Sequence, residues 1–430
     1  MSSEIYDVAV CGAGPAGLAL AAEAARAGLS VVIFEKNIIG KTKKTWLTFR
    51  DTLKRNSLSD AALSGFSKVS FSCYLGARYE FNDPGFIVPV DEEKFLVCLG
   101  EKVAKEGGEI KENECFISYR EKERDVYEVV TSRGKYLCRA LFDTMGRKSS
   151  LMFSLGLRNE TMDMGCLAWF LEGGEEKENE MILYDSFFPG NDYFWLVPLE
   201  KGRYMAGVFF FYSLTKVNFR EKEHILSEYI KFRKTGGRVY DVRYGNIPLG
   251  GQSCLSHKNI YFFGDTANTP MPSSGFSINR CLDDSKVAAL FLKDVFEGNK
   301  APGMFKKNIL GPKIPAIEVH LMISDMLSKF TDPMLNKAIE RMNGVSEKFI
   351  ISFLTGDDMG TAFSVTALKA ILSTFSVNEI RSLSLKQNYF RNISNLYNLI
   401  PAITSAKIGE ILNEFIRDTV KRKYPFKKDI

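Results

Sequence analysis

Two stretches of this 430-residue chain hold residue types at spacings that could do chemistry. The first is Gly12-Ala13-Gly14-Pro15-Ala16-Gly17, set between an apolar run, IYDVAVC, and an alanine-rich one. In such a loop the first glycine permits the tight turn. The second lets a pyrophosphate approach the backbone, and the third lets the following helix pack close to the strand. The free N–H groups of the helix start then face the phosphates. Glu35, at the end of the next apolar run, can accept hydrogen bonds from ribose hydroxyls, with Lys36 beside it. Gly12, Gly14, Pro15, Ala16, Gly17, Glu35 and Lys36 are therefore expected to bind a dinucleotide, with NAD and FAD both open at this point.

The second stretch is GDTANTPMPSSGFSINRCL, residues 264–282. Gly264 lets the chain come close to a ligand, and Asp265 can bind ribityl hydroxyls. Pro270 and Pro272 stiffen a turn. Gly275, Phe276 and Ser277 then lead into a helix whose first turn carries no acid, so its free N–H groups would face an electron-rich ring. The expected ligand is the isoalloxazine ring of a flavin. A third segment, LFDTMGRKSS (141–150), reads alone as a turn after a buried strand.

These residues need a scaffold. IYDVAVC, the alanine-rich run and SVVIFEK form a βαβ unit of about 30 residues. Apolar residues recur at helical spacing over 93–108. Residues 155–250 alternate or run apolar between turns, as an antiparallel sheet does, with one helix at HILSEYIKFRK. From about 283 onward the pattern is helical. The expected class is α/β: a discontinuous Rossmann-like FAD-binding domain, an inserted antiparallel substrate sheet and a C-terminal helical region. The expected boundaries are 1–75, 93–154 and 255–300 for the cofactor domain, 76–92 and 155–254 for the substrate strands, and 301–430 for the helices.

Composition excludes several classes. A net charge of +5 over this length, without a basic repeat, does not suggest nucleic acid. Eight scattered cysteines without a CxxC, and three distant histidines, suggest neither a disulfide framework nor a metal site. The N-terminus shows no positive leader, and no apolar run reaches the length of a membrane span. A cytoplasmic protein is expected. Its basic, aromatic tail, IRDTVKRKYPFKKDI, would allow peripheral contact with an anionic membrane. The basic run Lys41, Lys43, Lys44, Arg50, Lys54, Arg55 reads as a solvated face that could receive phosphates.

The order GAGPAG, Glu35, DTMG and GD…P…G resembles the FAD-dependent proteins of the p-hydroxybenzoate hydroxylase type. Within them it resembles the isoprenoid branch of geranylgeranyl reductases and lycopene cyclases. PSSGFSINRCL is similar to the cyclase pattern Pro-x-Thr-Gly-Tyr-Ser-x-x-Arg-x-Leu, and TWLTF to the cyclases' Thr-Trp-Ser-Phe. MILYDSFF, with Asp185, resembles a cyclase segment carrying an aspartate, and YFWLVP the reductases' Tyr-x-Trp-x-Phe-Pro. The cyclases' Phe-Leu-Glu-Glu-Thr and the reductases' Cys-x-x-x-Gly are both absent. The resemblance implies an FAD enzyme acting on C=C bonds of a long isoprenoid, read first as cyclase-like and alternatively as reductase-like. It implies Asp185 as the acid, Tyr193 and Trp195 as substrate contacts on one strand face, and Trp46 at the flavin. NAD(P)H or another reductant would visit as electron donor, since no second GxGxxG occurs. An FAD monooxygenase and a prenyl-lipid carrier are the remaining readings.

Overall fold

The computed structural model describes residues 5–376 and residue 379, apart from 42–45, 64, 83–84, 158–161, 175–179, 188–191, 201, 212–216, 250–253, 346 and 356–373. The chain opens with β1 (Ile5–Cys11), α1 (Pro15–Arg26) and β2 (Val31–Phe34). β3 (Leu47–Phe49), α2 (Arg50–Arg55), β4 (Lys68–Cys73), β5 (Arg78–Asn82) and β6 (Ile87–Pro89) follow. Next come α3 (Glu92–Lys105), β7 (Glu109–Lys111), β8 (Phe116–Glu123), β9 (Val126–Thr131), β10 (Lys135–Asp143) and α4 (Ser150–Ser154). β11 (Met162–Glu172), β12 (Glu180–Ser186), β13 (Asp192–Pro198), β14 (Arg203–Phe210), α5 (Phe219–Phe232) and β15 (Arg238–Leu249) make the middle of the chain. It continues through β16 (Ser256–His257), β17 (Ile260–Phe262) and α6 (Ile278–Phe296). The last described helices are α7 (Phe305–Ile309), α8 (Ile314–Leu327), α9 (Asp332–Met342) and α10 (Glu347–Thr355).

The first sheet has the order β16-β17-β10-β1-β2-β7, and β17, β10, β1, β2 and β7 run parallel. β1 and β2 can lie at its centre because Val8–Cys11 and Val31–Phe34 are apolar throughout and buried. The alanines of α1 let it pack closely against both α3 and α6. In this parallel arrangement the loops after β1, β2, β10 and β17 emerge at one edge, where such sheets bind ligands. All the expected nucleotide-binding segments lie on those four loops.

The second sheet has the order β15-β11-β14-β13-β12-β4-β5 and is antiparallel except for β4 against β12. Strand alternation divides its side chains between two faces. Leu167, Ile182, Phe194, Leu196, Val208 and Phe210 meet Leu226 and Tyr229 of α5 on one face. The other face borders a cavity. This sheet takes its first strand at Lys68, earlier than the expected start at residue 76, whereas β6 pairs with β3 in a separate ribbon. Residues 1–376 form one compact unit and 377–430 a second. The basic tail, and the helical pattern beyond residue 379, lie outside the described residues.

Candidate cofactor and substrate site

The glycine loop has the shape that its spacing predicts. Gly12 has φ +104°, and a Cβ there would lie 2.8 Å from the Thr144 carbonyl oxygen. At Gly17 a Cβ would sit 1.9 Å from the Gly12 carbonyl oxygen, so helix α1 can approach the loop only as glycine. A Cβ on Gly14 would meet nothing within 4 Å, so the chain is open on that side, where a pyrophosphate would come. Pro15 and Ala16 begin α1 behind it. Glu35 directly follows β2 and reaches back: one carboxylate oxygen accepts from Ala13 N at 2.9 Å, the other from Asn37 N at 3.0 Å. Lys36 is exposed beside it.

The DTMG turn belongs to this site. Thr144 Oγ1 donates to the Cys11 and Gly12 carbonyls, at 2.9 and 2.7 Å. The Gly146 amide donates to Thr266 Oγ1 at 2.8 Å, which ties the turn to the Gly264-Asp265 loop. Asp143 is fully buried between them and accepts from Met145 N and Ser149 Oγ. Burial pushes its carboxyl up to about 6. Alone, the segment reads as a turn after a buried strand, and only its place in the order GAGPAG, Glu35, DTMG and GD…P…G links it to flavoproteins. Only the packing of β10 between β1 and β17 reveals its brace function.

Gly264 has φ +66°, and a Cβ on it would lie 2.5 Å from Ala16 Cβ. The Gly264 loop and the start of α1 therefore touch. Asp265 reaches the cavity. The turn beyond it brings Pro270, Ser273, Gly275, Phe276 and Ser277 onto the cavity wall, while Pro272 is buried behind. Gly275 has φ +72°, and a Cβ there would press on Met164 Cε at 3.0 Å and Ile247 Cδ1 at 3.2 Å. Ser277 is the N-cap of α6, so the helix starts where expected. These features fit a flavin: an open backbone at Gly14, an acid at the end of β2, a second acid at Asp265 and a glycine-opened turn before a helix N-terminus.

Against this turn lies a cavity of about 460 Å³. Its sheet wall is Phe71, Leu183, Tyr184, Trp195, Met205 and Phe209, with Met164 and Cys166 nearer the turn. Ile323 and Met326 of α8, Phe330 between α8 and α9, Leu335 of α9 and Ile350 of α10 close the other side. Trp46 also lines it and packs on Phe95, with ring centroids 6.0 Å apart. Burial raises the Cys166 thiol to about 12 and the Tyr184 phenol well above its usual value, so both stay protonated.

The sheet-face expectations divide. Trp195 is on the cavity wall. Tyr193 faces the same way but is fully buried behind it, donating to the Leu327 carbonyl at 2.6 Å and packed on Tyr184. The acid expected at Asp185 is not in the cavity. Asp185 is buried on the α5 face, where it accepts from Ser72 Oγ at 2.7 Å and Arg233 Nε at 2.9 Å. The physical reason is a register shift between Ile182 and Asp185. The extra residue puts both Leu183 and Tyr184 on the cavity side and returns Asp185 to the face of Ile182.

The basic run near the loop is dispersed. Arg50 holds the Gly85 carbonyl at 2.8 Å and Arg55 reaches Asp283 at 3.5 Å. Lys43, Lys44 and Thr45 lie outside the described residues. Among the described residues, no group of three or more His, Cys, Asp or Glu could hold a metal ion, and no helix is long and apolar enough to cross a membrane.

Fold and loops together define a Rossmann-type flavoprotein architecture. A family model described as lycopene cyclase protein matches residues 7–70. The chain is 24% identical over 314 residues to a digeranylgeranylglycerophospholipid reductase of Methanosarcina acetivorans, covering 66% of this chain and 74% of that protein. It is 23% identical over 376 residues to the enzyme of that name from Methanocella arvoryzae, covering 80% and 93%. Among solved structures it resembles a geranylgeranyl bacteriochlorophyll reductase-like protein of Thermoplasma acidophilum, with TM-score 0.73 and 17% identity over 88% of this chain and 99% of that one. The flavin-dependent brominase Bmp2 is also similar, with TM-score 0.69 and 17% identity over 86% and 99%. At such identities the structural likeness establishes the fold.

Proposed function

We propose that this chain is an FAD-dependent enzyme that saturates C=C bonds of a long isoprenoid. The observation that carries the reading is the largely apolar cavity of about 460 Å³ under the second sheet, whose lining includes the glycine-opened turn before α6. Names of the archaeal relatives support an isoprenoid lipid as substrate. Gly12, Gly14, Gly17 and Glu35 would hold the nucleotide, and Asp265 the ribityl chain. Bound there, reduced flavin supplies a hydride to one carbon of the double bond. The chain's own residues do the rest. The wall of Trp195, Tyr184, Phe209 and Met326 excludes water and aligns the isoprenoid. Cys166 Sγ and Tyr184 Oη present protons that burial retains. NAD(P)H or another reductant would visit to renew the electrons. We place the protein in the cytoplasm, with peripheral contact to a lipid surface.

Cyclisation is the second reading, favoured by the family-model match and by the PSSGFSINRCL turn. It needs an acid strong enough to protonate an unactivated double bond. With Asp185 on the far face, Asp265 is the one carboxylate among the described cavity-lining residues. The test is product mass: reduced protein, FAD, lycopene and a geranylgeranylated phospholipid in one anaerobic reaction. Lipid gaining two hydrogens per double bond supports saturation. Lycopene converted at unchanged mass, with the lipid untouched, would replace it by cyclisation.

A further inference from the structure

We propose that Arg341 anchors the anionic head of the isoprenoid, so that saturation begins at the end of the chain farthest from the head. This rests on the reductase reading above.

Three charged residues stand among the described lining of the cavity: Asp265, Arg243 and Arg341. Asp265 belongs to the cofactor loop. Arg243 is committed elsewhere, with Glu92 at 3.0 Å and Asp241 at 2.8 Å, and its guanidinium lies over Phe170. Arg341, in the last turn of α9, is exposed and has no ion-pair partner among the described residues. A residue that both lines a cavity and meets solvent marks an opening. This opening is therefore cationic, and aliphatic and aromatic side chains make up most of the wall beyond it.

Its position is far from the cofactor turn. α9 is fastened to the β4–β5 edge of the sheet: Tyr74 Oη donates to Asp332 at 2.8 Å, Ala77 N to Asn336 Oδ1 at 2.9 Å, and Asn343 Nδ2 to the Arg78 carbonyl at 3.4 Å. The cofactor turn lies against Met164 of β11 and Ile247 of β15, at the opposite edge. From β11 across β14, β13 and β12 to β4, strand spacing gives about 19 Å. α10 offers a second ruler. Its last residue, Thr355, accepts from Asn279 in the first turn of α6 at 2.9 Å, while its nine residues lead back toward Arg341 over about 13 Å.

A guanidinium binds phosphate oxygens through paired, charge-assisted hydrogen bonds. A phosphate held there leaves its hydrocarbon to run several isoprene units inward, so a distal double bond meets the cofactor turn first. Each saturation adds one hydride and one proton across a double bond, with the reduced flavin left oxidised.

The experiment uses full-length protein loaded with FAD and reduced anaerobically with dithionite, offered geranylgeranyl diphosphate or geranylgeraniol. Arg341→Gln should raise KM for the diphosphate about tenfold and leave kcat, flavin content and KM for the alcohol unchanged, and Arg341→Lys should recover part of the loss. At low conversion by wild-type protein, the first saturated bond should be the one farthest from the head. An unchanged diphosphate KM in Arg341→Gln, or first saturation beside the head, would overturn the proposal. Equilibrium dialysis with labelled diphosphate separates the two readings. Binding weakened by Arg341→Gln without any saturation would sink the reductase reading and keep the anchor. Saturation with unweakened binding would do the reverse.

Discussion

The hydroxyl of Ser273, in the turn that faces the cavity, shares a hydrogen bond with Nδ1 of His320 on α8. His320 is wholly buried, and that burial, followed by the nearby Arg280 guanidinium, lowers its pKa to about 3. The imidazole is therefore neutral at any working pH, and the link is a constant fastening between the Gly264–Ser277 turn and the helical wall. Removing a buried hydrogen-bond partner costs about 1–3 kcal/mol. His320→Ala should keep FAD, because the glycine loop is untouched, yet lower kcat about tenfold. Flavin content and turnover measured on one sample check this. Wild-type turnover would show that the turn stands without His320.

Gly17→Ala should abolish flavin retention. The added Cβ would fall 1.9 Å from the Gly12 carbonyl oxygen, so α1 would have to move away from the loop. The visible absorbance of purified protein reports this directly. Gly14→Ala is the informative partner: its Cβ meets no protein atom, so any loss of flavin there comes from the ligand side.

Asp185→Asn should cost stability while folded protein keeps its turnover. Asp185 pairs with Arg233 in a buried setting, and breaking such a pair costs about 3–5 kcal/mol. Urea unfolding beside kcat per folded molecule tests the assignment. A collapse of kcat at unchanged stability would return Asp185 to the chemistry.

Asp143 predicts a pH trend. Burial raises its folded pKa to about 6, above an unfolded value of about 3.9. Between these values the folded state holds the proton and the unfolded state does not. Stability from this group is thus full below about pH 4 and is lost as pH rises through about 6, by roughly 2–3 kcal/mol. Urea midpoints across that window should show the fall in wild type and lack this component in Asp143→Asn. Equal slopes in both proteins would place the titration elsewhere.

Much of the backbone shape of the candidate cofactor side was legible locally. Each glycine of the first loop acts over a few residues, and Glu35 follows at the end of the adjacent strand. The Gly264–Ser277 turn carries its own punctuation of glycine and proline. The DTMG turn was visible as a segment, but its brace between two loops depends on β10 lying between β1 and β17, which sequence spacing does not express.

The cavity side was not legible in that way. Trp195 reached the wall because β13 alternates regularly, and Tyr193 took the same face but was sealed behind it. Asp185 went to the opposite face because one register shift in β12 reverses every side chain after it. Arg341 had no motif at all. Sequence by itself determined the backbone conformations that only glycine permits, and with them the nucleotide loop. Tertiary structure decided which side chains meet across the second sheet, because strand register and helix docking are set by packing among residues hundreds of positions apart.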